Sequence, residues 1–338
     1  MSPISTGLMD RENTLIKRLT RIVPSILAGH GQSGVALGIG DDAAVLRPSG
    51  RTDWVLSCDS SLEGVHFLDK IHLAESIGYK SLARAVSDLA AMGARPRYFL
   101  LALALPSAKT HEWLDRFARG MARAARELQI RLIGGDISKT PHVTISITVL
   151  GEIAHGNALT RSGARAGDLL YVSGRLGAAQ LGLEIILRRL SRRRSLMKYL
   201  RPHFYPRIPL ELGESLARHR IPSAMMDISD GLSTDLARLC AASGVGARLW
   251  AAQVPTVRVP SLLEGKGVTP LELALHGGDD YGLLLTVPPK SLSPLRRIAS
   301  ATPLTCIGEI TREKKMVLVH TGGAESPLIS KGWNPFAK

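Results

Sequence analysis

Gly38-Ile39-Gly40-Asp41-Asp42-Ala43-Ala44-Val45 sets two adjacent carboxylates between glycines and a short apolar run. Asp forms turns better than strands or helices, and Gly lets backbone approach a ligand closely. The region Val35 to Leu46 therefore reads as two short strands flanking an acidic turn. The same device returns along the chain. Trp54 to Cys58 is expected to be a strand ending at Asp59, Asp88 rides on a helix expected from Ala74 to Met92, and a strand Ile130 to Ile133 runs into Gly134-Gly135-Asp136. Further on, a strand Ser223 to Met226 ends in Asp227-Ile228-Ser229-Asp230-Gly231, and a later helix runs into Gly277-Gly278-Asp279-Asp280. Nine of the 29 acidic residues lie in these clusters, and such repetition asks for a chemical reason beyond turn formation.

Between the clusters, apolar spacing places helices at Glu12 to Leu27, His111 to Leu128 and Leu232 to Ala242, and strands at Phe99 to Leu105, Val143 to Ile153, Leu169 to Val172 and Tyr281 to Val287. Gly29-His30-Gly31-Gln32-Ser33-Gly34 has the spacing of a dinucleotide fingerprint, but it follows a helix and leads into a strand, so it reads as a loop. Strands and helices alternate in both halves, giving an α/β to α+β class. The glycine-rich, polar run from Ala154 to Gly167 puts the boundary near residue 155, with domains expected at 1–155 and 156–338.

The chain has 338 residues and a formal charge of +14. The excess is local. No acid occurs between Glu184 and Glu211, where a helix from Leu176 to Leu190 gives way to an arginine-rich, proline-punctuated stretch, Arg188 to Arg207. Charge runs are usually solvated helix ends and loops, and no RNP aromatic pattern, zinc finger or KH-type loop accompanies this one, so nucleic acid is not the expected partner. Three separated cysteines, Cys58, Cys240 and Cys306, suit a reducing compartment. With no signal-peptide core and no apolar run near the ~20 residues a bilayer requires, a soluble cytoplasmic protein without a membrane partner is expected.

Carboxylates beside glycines suit Mg²⁺, which takes oxygen ligands and shares its shell with water and phosphates. Backbone N–H groups at the glycines can approach phosphate oxygens. That combination points to phosphoryl transfer. There is no Walker sequence, no kinase H-R-D or D-F-G, no EF-hand loop, no G-x-S-x-G and no H-E-x-x-H, so the nucleotide site must be of another kind.

Seven segments in order carry a resemblance. They are Gly38 to Val45, Val86-Ser87-Asp88-Leu89-Ala90-Ala91-Met92-Gly93-Ala94, Leu132 to Asp136, Leu159-Thr160-Arg161-Ser162-Gly163-Ala164, Asp227 to Leu232, Gly277 to Tyr281 and Lys331-Gly332-Trp333. From about Leu37 to Phe336 the chain resembles the thiamine-monophosphate kinases, part of an ATP-binding superfamily with aminoimidazole ribonucleotide synthetase, selenophosphate synthetase and a hydrogenase maturation factor. The resemblance implies an N-terminal sheet that forms a barrel across a homodimer and a C-terminal α+β sandwich that completes the ATP site. It implies phosphorylation of thiamine monophosphate to thiamine diphosphate, by direct in-line transfer from ATP assisted by several Mg²⁺ ions. Asp42, Ser57, Cys58, Asp59, Asp88, Asp136, Asp227 and Asp230 would hold metal, with Asp42, Asp88, Asp136 and Asp227 central to catalysis. Gly135, Asp136, Arg161 and Ser229 would contact ATP, and His66, Asp279 and Trp333 the thiamine monophosphate. This chain departs from the family pattern in four places. Cys58 stands for a usual Thr, Ala85 for an Asn, Asp279 and Gly282 for two Glu residues, and the basic stretch after Leu187 has no counterpart role. A sister enzyme with another acceptor, or a polyanion-binding protein using Arg188 to Arg207, are the alternative readings.

Overall fold

The computed structural model describes residues 34–47, 50–298 and 302–334. The helix expected at Glu12 to Leu27, most of the glycine loop after it, and Phe336 lie outside the described residues. The first sheet contains β1 (Val35–Leu37), β2 (Ala44–Leu46), β3 (Thr52–Leu62), β4 (Arg95–Leu105), β5 (Arg131–Lys139) and β6 (Thr144–Ala154), in the order β1-β2-β3-β6-β4-β5. β3 and β6 pair antiparallel from Thr52 opposite Ala154 to Leu62 opposite Thr144. β4 and β5 are parallel, which a short hairpin cannot achieve. Helix α2 (Glu112–Glu127) makes the crossover, and α1 (Ala74–Ala91) precedes β4.

Two strands run further than the sequence suggests. β3 continues past Asp59, and β5 passes straight through Gly134-Gly135-Asp136. A Cβ on Gly135 would lie 1.8 Å from the Leu101 carbonyl oxygen, so this glycine serves close strand approach instead of a turn.

The second sheet has the order β13-β12-β9-β11-β7-β10-β8. Its strands are β7 (Leu169–Ser173), β8 (Ala224–Ile228), β9 (Gly246–Trp250), β10 (Gly282–Val287), β11 (Leu304–Thr311), β12 (Met316–Val319) and β13 (Glu325–Pro327). The helices are α3 (Ala178–Leu187), α4 (Met197–Phe204), α5 (Leu210–Arg218), α6 (Leu232–Ser243), α7 (Pro270–His276) and α8 (Leu292–Ile298). α4 falls where the sequence reads as a proline-punctuated segment, and Pro202 lies inside it. Leu196 and Leu200 pack with Leu181 and Ile185 of α3, and this burial outweighs the helix-breaking tendency of one proline near the end.

Helix α1 joins the two halves. Of its eighteen residues, all but Glu75, Arg84 and Asp88 are buried. One continuous core runs from Val55 and Ile147 in the first sheet, through Leu82 and Leu89 of α1, to Leu212, Met225 and Leu283 of the second half. At roughly 1.5–3 kcal/mol for each large apolar side chain removed from water, this shared core fixes α1 against both sheets. α2 crosses it closely at two glycines, where a Cβ on Gly78 would meet the Phe117 oxygen at 2.1 Å and one on Gly120 the Glu75 oxygen at 1.8 Å. The other face of the first sheet is bare. Tyr98, Leu100 and Ala102 of β4 are exposed there, and β5 at the edge is exposed along its whole length.

Candidate active site

Residues i, i+4 and i+8 of a helix share a face, and on α1 those positions are Lys80, Arg84 and Asp88. Lys80 Nζ lies 2.7 Å from Asp279 Oδ2. One turn on, Arg84 takes both oxygens of Asp59, Nε to Oδ2 at 2.7 Å and Nη2 to Oδ1 at 3.0 Å. One turn further, Asp88 accepts a hydrogen bond from the Ser57 hydroxyl, while its neighbour Ser87 donates to Asp227 Oδ2 at 2.5 Å. A single helix face thus gathers β3, the end of β8 and the loop before β10 along a cleft of about 1420 Å³ between the halves.

Three carboxylates are set against one another here. Burial holds the Asp88 carboxyl well above its ordinary range, and Asp227, Asp42 and Asp59 add to the rise. Burial, then Asp42 and Asp230, push Asp227 up to about 7. Asp42 is also raised by burial, against the pull of the Arg161 guanidinium bonded to it. Its Oδ2 is buried with no hydrogen-bond partner. Carboxylates that raise each other in this way are relieved by a cation, and an orphaned buried carboxylate oxygen is a vacant ligand atom. Among the described residues, no group of three or more His, Cys, Asp or Glu side chains is drawn together closely enough to hold a metal ion by itself. Mg²⁺ usually keeps several waters and takes substrate phosphates alongside one or two carboxylates, so it does not require a complete protein cage. Asp41 closes the acidic turn. It accepts the Asp42 N–H at 2.9 Å and the Arg161 N–H at 3.2 Å, and burial with the nearby Asp42 pushes it up to about 6.

The far wall is built by three backbone segments. Asp235, fully buried on the first turn of α6, accepts the N–H groups of Ser229, Asp230 and Gly231 on Oδ2 at 3.1, 3.0 and 3.1 Å. The loop Gly277 to Tyr281 is held to that turn by Asp279 N–H to Ser229 O and Tyr281 N–H to Ile228 O, both 2.8 Å. These bonds hold Asp279 and Tyr281 at φ of +68° and +49°, a conformation non-glycine residues rarely adopt outside constrained sites. The third segment brings Trp333, whose N–H donates to Asp230 O at 2.9 Å and whose ring lies 6.5 Å from that of His66. His66 Nδ1 accepts the Leu62 N–H at 3.0 Å, which leaves the proton on Nε2. Burial, then Arg84, bring its pKa down to about 4, so it is a neutral donor at pH 7.

Asp42, Ser57, Asp59, Asp88, Asp227, Ser229, Asp230, Arg161, His66, Asp279 and Trp333 thus converge on or beside one cleft. Others do not. Asp136 lies on the bare face of the sheet, in register with Ala102, Ser146 and Ser60. Three strand spacings of ~4.8 Å put it roughly 14 Å from Ser60, and alternation puts Asp59 on the other face. Gly135 shares that exposed strand. Cys58 does line the cleft, although it is exposed and by the same alternation its side chain leaves the strand on the other face from Ser57 and Asp59. Asp230 is engaged by Arg238 at 2.5 Å, and Asp59 by Arg84.

The sequence reading missed Lys80, Arg84, Asp235 and Arg238. A signal existed for the first two, which lie two turns and one turn before Asp88 on an expected helix. Asp235 is an acid in the first turn of a helix, where unbonded N–H groups collect. Asp280 is structural. It accepts the Gly177 and Ala179 N–H groups at 2.6 and 3.2 Å, serving the start of α3.

Residues 40–153 match the family description "AIR synthase related protein, N-terminal domain", and residues 165–321 match "AIR synthase related protein, C-terminal domain". The chain is 35% identical over 310 residues to the thiamine-monophosphate kinase of Escherichia coli (strain K12), covering 90% of this chain and 93% of that one. It is 33% identical over 313 residues to the thiamine-monophosphate kinase of Bacillus subtilis (strain 168), covering 90% and 94%. Among solved structures, it is similar to AaThiL complexed with AMPPCP and TMP, with a TM-score of 0.83, 29% identity, and coverage of 99% of this chain and 100% of that one.

Proposed function

The chain belongs to the AIR synthase-related family and, within it, to the thiamine-monophosphate kinases, and we propose on that premise how its cleft works. It is a kinase that phosphorylates thiamine monophosphate at the expense of ATP. The observation that carries the site assignment is the group Asp42, Asp88 and Asp227, three water-poor carboxylates in one another's field, one with a vacant oxygen.

Those three residues would hold Mg²⁺. Mg²⁺ bound there supplies the positive charge that lets two anionic phosphates meet and that neutralises charge on the transferred group. Ser57 and Ser87 fix the carboxylates of Asp88 and Asp227 from behind. Arg161, bonded to Asp42 in this structure, would contact an ATP phosphate, and the Ser229 turn, immobilised by Asp235, would offer its polar edge to the nucleotide. In the acceptor half, Trp333 presents an aromatic face for a thiamine ring, and His66 donates from Nε2. Asp279 acts with Lys80, as a charge pair that sets the floor of this half. No side chain is needed as a base, because the attacking phosphate oxygen is already anionic at neutral pH. Transfer is then a direct in-line displacement.

A second copy is proposed to pack on the bare face of the first sheet, where Tyr98 and Leu100 are 37 and 40% exposed. This would form the barrel and bring Gly135 and Asp136 into a covered site. The chain would divide into domains at 1–155 and 156–338 and would work in the cytoplasm. Among the described residues, no helix is long and apolar enough to cross a membrane.

Steady-state kinetics test the acceptor half. Trp333→Ala and His66→Ala are expected to raise KM for thiamine monophosphate at least tenfold with KM for ATP within twofold of the parent. A rise in KM for ATP alone would place the two halves the wrong way round.

A further inference from the structure

We propose that Arg84 takes the place of a divalent cation at Asp59, so that Asp59 is not a metal ligand in this chain and metal is confined to the Asp42–Asp88–Asp227 side of the cleft. The inference rests on the reading of that trio as the metal site. Asp59 is satisfied in a way the trio is not. Its Oδ1 accepts from the Ser60 N–H at 2.8 Å and from Arg84 Nη2 at 3.0 Å, and its Oδ2 from Arg84 Nε at 2.7 Å. The fork of a guanidinium matches a carboxylate edge, and this two-pronged, charge-assisted arrangement is the strong form of the pair.

Both partners are mostly withdrawn from water, with side chains 19% and 27% exposed. The pair is therefore less screened than a surface bridge. Arg84 also springs from a rigid base. Its helix neighbours Ala83 and Ala85 are fully buried, and α1 is fixed between two sheets. Asp42, by contrast, keeps a buried oxygen with no partner. Asp59 thus has both oxygens taken by one always-protonated side chain, whereas Asp42 meets Arg161 through Oδ1 and keeps Oδ2 open. A metal ion on the Asp59 edge would have to displace a guanidinium from two hydrogen bonds. The consequence is a lower count of bound ions, with a permanent positive charge toward Asp279 and the acceptor half.

Counting bound Mn²⁺ per chain by electron paramagnetic resonance, at saturating AMPPCP, tests this without turnover. Asp59→Asn is expected to bind the same number of Mn²⁺ ions as the parent, with affinity within about twofold. Arg84→Met is expected to bind one more per chain, and the double variant to lose it again. An ion lost on Asp59→Asn alone, or none gained by Arg84→Met in a protein that melts cooperatively, overturns the proposal. If Arg84→Met does not fold, the comparison of Asp59→Asn with the parent decides it. Asp88→Asn, run beside them, checks the trio separately. An unchanged Mn²⁺ count there would sink the trio as the metal site and leave the Asp59 comparison standing.

Discussion

Asp88 works against the fold in order to serve the site. Its carboxyl is partly withdrawn from water and faces Asp227, Asp42 and Asp59, so without metal its charge destabilises the native state. Asp88→Asn is expected to raise the melting temperature of the metal-free protein by several degrees while lowering kcat/KM by at least about 10²-fold. A variant that is both less stable and active would contradict this. Asp280 offers a pH test away from the metal-holding residues. Burial pushes it up to about 7 against the lowering pull of the Gly177 and Ala179 N–H groups, from an ordinary 3.8. Between those two values the native state holds a proton that the unfolded chain has released. The stability from this group is complete below about pH 4, falls by at most about 1.4 kcal/mol per pH unit, and is gone above about pH 7. Asp280→Asn should therefore show a shallower loss of stability than the parent when urea unfolding is compared at pH 5 and pH 7.5. Equal slopes would remove Asp280 as a titrating group in that window.

At the scale of elements, the Ser229–Gly231 turn depends on one side chain. Removing the carboxylate in Asp235→Ala strands three backbone N–H groups in a buried turn and is expected to cost roughly 2–4 kcal/mol. Chemical denaturation with an unchanged m-value would read this, and a loss under 1 kcal/mol would show that the turn holds itself. Elements with strong periodicity were legible in the sequence, α1 and α2 to within a residue or so at each end. The strands were misjudged at their ends, because Asp59 and Gly134-Gly135-Asp136 carry turn-forming residues that sheet pairing and close strand approach absorb. α4 was missed because packing against α3 outweighs Pro202. The acidic motifs announced the site, whereas Lys80, Arg84 and Asp235 did not stand out. Lys80 and Asp279 are 199 residues apart in sequence, and only the closing of the second sheet onto α1 makes them a pair.

At the scale of the molecule, the two sheets share the core around α1, and the unshared surface is the open face of the first sheet. Exposed apolar residues side by side on an open sheet face are costly in water and mark a surface for association. Tyr98→Lys with Leu100→Lys is expected to halve the mass seen by sedimentation while leaving the helical content unchanged. A mass equal to the parent's would separate this face from assembly. The central claim, phosphoryl transfer from ATP to thiamine monophosphate in the cleft along α1, is tested most directly by chromatography of products. ATP and Mg²⁺ are supplied with either thiamine monophosphate or thiamine. The expected result is thiamine diphosphate and ADP in equal amounts from the monophosphate, nothing from thiamine, and nothing after chelation. ADP without thiamine diphosphate, or a phosphorylated product from thiamine, would contradict it.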